Sequence, residues 1–136
     1  ALIKSGLITV GVLPDPAKQY LIKRVIGVGG DKVTCCDANE KLQVNGVSID
    51  EPYIYSGDKP SETKFNIDVP EGFLWVMGDH RAASADSRYQ PDSANSGMVP
   101  LSKVVGRATF IVWPIRNIAI IEKGNDLKEI PVKTNP

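Results

Sequence analysis

Short β-forming runs cut apart by turn residues constrain this chain more than any other feature. Runs rich in Val, Ile, Thr and aromatic residues alternate with clusters of Gly, Pro, Asn and Asp. That rhythm suits short antiparallel strands and leaves little length for helices. It predicts strands over residues 7–12, 20–28, 32–36, 41–44, 47–49, 64–69, 73–78, 104–113 and 118–122. Asn45-Gly46 separates Leu42-Gln43-Val44 from Val47-Ser48-Ile49. Both turn residues accept a positive φ, so the segment predicts a two-residue hairpin. Pro52, Pro60, Pro70, Pro91 and Pro100 fall between the runs, where a missing N–H breaks no ladder. Residues 92–97 predict a turn or a short helical piece, and the polar stretch 123–136 predicts a loose tail. The expectation is an all-β fold of folded antiparallel sheets, or a partly open barrel, spanning 1–122 with a small appended lobe.

The 136 residues suit one domain with a real apolar core. Lys plus Arg and Asp plus Glu number 16 each, for a formal net charge of zero. That balance argues against a nucleic-acid partner or a polybasic membrane patch. The two cysteines, Cys35 and Cys36, are adjacent. A bond between neighbours closes almost no loop, so the simpler expectation is two small side chains on a strand, one inward and one outward. With a single His, His80, they make a poor zinc site, and neither a metal nor a cofactor is expected. The longest apolar stretches, 108–115 and 118–121, are too short to span a bilayer. The chain is therefore expected to be soluble as it stands. It opens at Ala1 without a Met, which fits a fragment or processed form of a longer protein.

Two segments concentrate chemistry. In the first, Lys23-Arg24-Val25-Ile26-Gly27-Val28-Gly29-Gly30-Asp31, two cations sit inside an apolar run. Strand alternation puts Lys23 with Leu21 and Val25, and Arg24 with Ile22 and Ile26, so both faces are apolar. At least one cation should then be desolvated. A lysine deprived of water moves toward its neutral form and can accept a proton, whereas arginine stays charged. Taken alone, the segment reads more simply as an edge strand whose cations reach solvent. The second segment, Gly78-Asp79-His80-Arg81-Ala82-Ala83-Ser84-Ala85-Asp86-Ser87-Arg88, follows a predicted strand and mixes both charges with small residues. Such a loop holds its shape through side-chain to backbone bonds and close ion pairs. Taken alone, it is a solvated turn.

Together, and in this order, the two segments resemble two boxes of the type I signal peptidases, the membrane-bound serine proteases that remove signal peptides. The family's lysine box reads Lys-Arg-Val/Ala-Ile/Val-Gly-x-x-Gly-Asp. Its later box reads Gly-Asp-Asn-Arg-x-x-Ser-x-Asp-Ser-Arg. Gly97-Met98-Val99-Pro100 and Val104-Val105-Gly106-Arg107-Ala108 continue the likeness, which covers roughly residues 20–114. The resemblance implies that Lys23 is the general base of a Ser/Lys dyad and that Ser84 bonds and orients it. It implies that Asp86 and Arg88 form a salt-bridged pair, with Asp79 and Arg81 as further scaffold for the same loop. It also implies secretory preproteins as substrates, cut after small residues, and a catalytic domain on the outer face of the bacterial cytoplasmic membrane. The membrane contact would run through an N-terminal anchor that these residues lack. The stretch 32–77 would be a reduced second lobe.

Two positions depart from the pattern. His80 stands where the family has Asn, and a polar turn role fits it better than catalysis. The family's nucleophile lies in a Ser-Met-x-Pro box ahead of the lysine box, and no serine here has that setting. Ser5 lacks the Met-x-Pro context, and Ser96 in Ser96-Gly97-Met98-Val99-Pro100 comes after the Ser84 loop. The nucleophile is therefore unassigned, and the chain by itself is expected to be inactive. Two other readings compete. One is a self-cleaving repressor-type Ser/Lys peptidase, against which the Ser84 box and the missing DNA-binding helices both argue. The other is a non-catalytic β-domain that binds peptides by strand addition.

Overall fold

The computed structural model describes residues 19–121. Among the described residues nine short strands pair antiparallel throughout, in three sheets. The first sheet has the order β1-β6-β7, from β1 (Arg24–Val28), β6 (Phe73–Met77) and β7 (Val99–Pro100). The second has the order β4-β3-β2-β5, from β2 (Lys32–Cys35), β3 (Leu42–Val44), β4 (Val47–Ser48) and β5 (Phe65–Asp68). The third pairs β8 (Phe110–Ile111) with β9 (Ala119–Ile120). No barrel closes. Between strands the chain turns through 3-10 helices at Arg81–Ala83, Ser87–Tyr89, Leu101–Lys103 and Ile115–Asn117. Among the described residues no helix is long and apolar enough to cross a membrane. The predicted strand 7–12 and the predicted tail lie outside the described residues.

The core draws on both larger sheets. Ile26, Trp75 and Met77 from the first pack with Val33, Cys35, Leu42 and Val44 from the second, and with Ile49 and Val69 from the adjoining loops. Phe65 lies against Trp75 at 5.3 Å between ring centroids. The Asn45-Gly46 turn forms as predicted. Asn45 and Gly46 take φ of 53° and 81°, and Val44 pairs with Val47 and Gln43 with Ser48. Where β1 crosses β2, Gly27 is needed for space. A Cβ there would stand 2.5 Å from Val33 Cγ2 and 3.3 Å from Val69 Cγ2. We expect Gly27→Ala to destabilise the protein by about 1–3 kcal/mol, read as a lower midpoint in urea unfolding.

Three expectations need correction. The strand predicted over 20–28 begins only at Arg24, and Tyr20, Leu21 and Ile22 are exposed outside any sheet. Strand residues need a hydrogen-bonded neighbour, and the pairing of β1 with β6 starts at Arg24 opposite Met77. The strand predicted over 104–113 shrinks to β8 for the same reason. Among the described residues no layer covers its apolar side chains, and Phe110, Val112 and Trp113 are each at least 65% exposed. Residues 92–97 form turns, one of the two forms expected of them. Cys35 and Cys36 are joined by a disulfide, with Cys35 in the core and Cys36 half-buried.

Candidate active site

Strand β1 and the loop after β6 deliver the two chemical segments to one place. A bulge between Val25 and Gly27 shifts the register of β1 against β6. Such an extra residue bends a strand and re-aims its side chains. Lys23, at the entrance to β1, is half-buried. Its Nζ donates to Ser84 Oγ at 2.7 Å, across 61 residues of sequence. Gly78, just past β6, provides the room for this contact. A Cβ at Gly78 would lie 2.2 Å from Ser84 Oγ and 3.6 Å from Lys23 Nζ. The Lys23 burial expected from the sequence is thus only partial, because residues 20–22 on its N-terminal side do not pack.

The loop is held from within by Asp86 and Arg88, whose side chains are both 0% exposed. Arg88 Nε donates to Asp86 Oδ1 at 2.9 Å and Nη2 to Oδ2 at 2.8 Å. Arg88 Nη2 also donates to the Arg81 carbonyl at 2.8 Å. Asp86 Oδ2 accepts from the Gly78 N–H at 3.0 Å, and Ser87 Oγ accepts from the Val76 N–H at 3.0 Å. These bonds tie the loop back onto the end of β6. Burial alone would raise the Asp86 carboxyl. Bonds from Arg88, the Gly78 N–H and the Ser84 hydroxyl outweigh it and hold the group below the ordinary carboxylate range. Ser84 Oγ thus accepts from Lys23 Nζ, and its hydroxyl is among the groups that lower the Asp86 carboxyl.

Asp79 and Arg81 reach outward from the same loop. Arg24 Nε and Nη2 donate to Asp79 Oδ1 and Oδ2, each at 2.7 Å. Arg81 is 1% exposed and donates to Glu51, to the Pro60 carbonyl at 2.7 Å and to the Gly78 carbonyl at 3.0 Å. His80 lies away from Lys23 and Ser84 in its contacts. Its ring stacks on Tyr55 at 4.2 Å, and its Nδ1 lies 2.9 Å from Asp58 Oδ2. Asp58 also accepts from the Ala82 N–H at 3.0 Å. That carboxyl is held low by the Ala82 bond, against a smaller push from burial, with help from His80.

All six singled-out residues thus meet in one network: Lys23 and Ser84 directly, Asp79 with Arg24, Asp86 with Arg88, and Arg81 through Gly78 and the Arg88 bond. The sequence reading missed Glu51, Tyr53 and Asp58, which come from the loop between β4 and β5. Tyr53 lies under the Arg24 guanidinium at 3.6 Å and donates its hydroxyl to Glu51 Oε1 at 2.9 Å. An acid next to a proline in a loop carries no period or motif that would single it out.

The chain is similar to known proteins. Residues 2–113 match the family described as "Signal peptidase, peptidase S26". The chain is 39% identical over 133 residues to a "Probable signal peptidase I" of Mycobacterium leprae, covering 82% of this chain and 45% of that protein. It is 35% identical over 137 residues to the "Signal peptidase I" of Mycobacterium tuberculosis, covering 90% of this chain and 46% of the other. The chain thus spans about half the length of these curated relatives. A crystal structure of a signal peptidase I from Enterococcus faecalis V583 superposes with a TM-score of 0.53 at 32% identity, covering 67% of this chain and 84% of that one. With the family matched over most of its length, and a signal peptidase I fold superposing on its sheets, this chain belongs to the signal peptidase family, peptidase S26.

Proposed function

We propose that this chain carries the lysine side of a Ser/Lys endopeptidase that removes signal peptides from secretory preproteins. The contact of Lys23 Nζ with Ser84 Oγ at 2.7 Å carries the reading. In the reaction, neutral Lys23 accepts the proton of the attacking serine hydroxyl, and the serine oxygen attacks the scissile carbonyl. The proton passes to the departing amine as the peptide bond breaks. Water then attacks the acyl-enzyme, giving its proton to the lysine, which returns it to the serine oxygen as the ester bond breaks. Ser84 orients the amine, since its oxygen accepts from Lys23 Nζ. Asp79, Arg81, Asp86 and Arg88 hold the loop that presents Ser84.

No serine of this chain is assigned as the nucleophile, because none has the Ser-Met-x-Pro setting. The reading places it elsewhere in a longer protein, and these 136 residues alone are expected not to cleave. In that protein residues 1–122 form the catalytic domain, with 32–77 as its reduced second lobe. The substrates are preproteins with small residues before the cut, met on the outer face of the cytoplasmic membrane.

The test is cleavage of a preprotein by the full-length protein in detergent. Ser84→Ala should lower kcat by roughly 10–100-fold, as loss of an orienting partner does. Wild-type turnover in Ser84→Ala would remove the orienting role. No cleavage by the wild-type full-length protein would favour a peptide-binding β-domain instead.

A further inference from the structure

We infer that Glu51 and Tyr53 are positioning residues for the Lys23–Ser84 pair, acting through Arg81 and Arg24; the inference rests on the Lys23 reading above. Asp86 and Arg88 stand two residues apart, so their bond shapes the loop but places it only against the strand it leaves. Something else must set that loop against Lys23, whose four-carbon stem has many rotamers. The stretch between β4 and β5 supplies it.

Glu51 grips Arg81 with two bonds, Nη2 to Oε1 at 2.5 Å and Nη1 to Oε2 at 3.1 Å, spanning 30 residues. The two side chains are 3% and 1% exposed. A charge pair this dry cannot swap partners with water, so its geometry is held. Arg81 passes the constraint on, since its Nε donates to the Gly78 carbonyl at 3.0 Å. Gly78 is the wall against which Ser84 Oγ and Lys23 Nζ lie.

Tyr53 extends the same grip to the other partner. Its hydroxyl donates to Glu51 Oε1, and its ring carries Arg24. Burial first, and the Glu51 carboxylate next, push the phenol pKa up, so the hydroxyl remains a donor. Arg24 is the neighbour of Lys23 in the chain and is clamped on Asp79 of the Ser84 loop. One carboxylate and one phenol thereby hold both the residue beside Lys23 and the backbone behind Ser84. Neither reaches the reacting atoms.

The experiment uses the full-length protein and reads two quantities. One is preprotein cleavage. The other is the Lys23 titration, followed by the ε-carbon resonance of isotope-labelled lysine. Glu51→Gln keeps the shape but leaves the Arg81 charge uncompensated. We expect kcat to fall by about tenfold or more with KM within about twofold, since no substrate contact is lost. The Lys23 midpoint should move by about half a unit or more, which a merely structural role would not produce. Tyr53→Phe removes only the hydroxyl and should give the same two changes at smaller size, about threefold in kcat. It decides the matter if Glu51→Gln does not fold. Wild-type kcat and an unmoved Lys23 titration in a folded variant would overturn the inference. If the wild-type protein cleaves nothing, the peptidase reading fails, and the Lys23 titration alone decides the positioning role.

Discussion

Lys23→Ala in the full-length protein is expected to abolish signal-peptide cleavage, lowering kcat by about a thousandfold or more with KM little changed. Lys23 is the basic side chain that bonds Ser84, and it does so from the mouth of β1, where the backbone is fixed by pairing with β6. On the proposed mechanism, removing the amine removes the proton acceptor, and a serine hydroxyl is a weak nucleophile without one. Lys23→Arg separates the two things a lysine could provide. Arginine keeps the positive charge beside Ser84 but cannot lose its proton, so it should be as inactive as alanine. Activity retained in Lys23→Arg would mean that charge, not base catalysis, is what the position supplies. Activity retained in Lys23→Ala would end the Ser/Lys mechanism.

Asp86→Ala should cost about 3–5 kcal/mol of stability, because it leaves the Arg88 guanidinium buried without its partner. Both side chains are 0% exposed. The Gly78 N–H loses an acceptor in the same change. By contrast, Asp68→Ala breaks a pair with Lys32 whose side chains are 78% and 41% exposed, and should change stability by less than about 1 kcal/mol. The contrast is read by urea unfolding of the two variants side by side. The effect also depends on pH in a defined direction. The Asp86 carboxyl is held below its ordinary value of 3.8 in the folded state. Its contribution is therefore fully present above that value and is lost as pH falls through the lower, folded-state pKa. The gap between wild type and Asp86→Ala should narrow below pH 3.8 and stay constant near neutrality. An unchanged gap at low pH would show that Asp86 acts through shape rather than charge.

The all-β character, the Asn45-Gly46 hairpin and the two chemical segments were legible in the residues. Turn chemistry is local, since two residues suffice to set a type I′ turn. Lys23, Ser84, Asp86 and Arg88 were legible only through the resemblance of two spaced segments, since each segment alone read as ordinary surface. Strand length was not legible. Val104 and Val105 have strand-forming side chains, but with no neighbouring strand or covering layer among the described residues they stay exposed outside any sheet. Apolar content states a preference for burial; the fold decides whether a partner is there.

Composition and motif determined which groups this protein has for chemistry: one lysine in an apolar run, and one loop dense in serine and paired charges. Only the tertiary structure decided how near they stand, and what holds them there. Lys23 and Ser84 are 61 residues apart in the chain and 2.7 Å apart in space. That closeness is set by strand pairing between β1 and β6, by the missing Cβ of Gly78, and by Glu51 reaching Arg81 from a separate loop. A hydrogen bond acts over about 3 Å, and no spacing along a sequence encodes such a distance between residues on different strands.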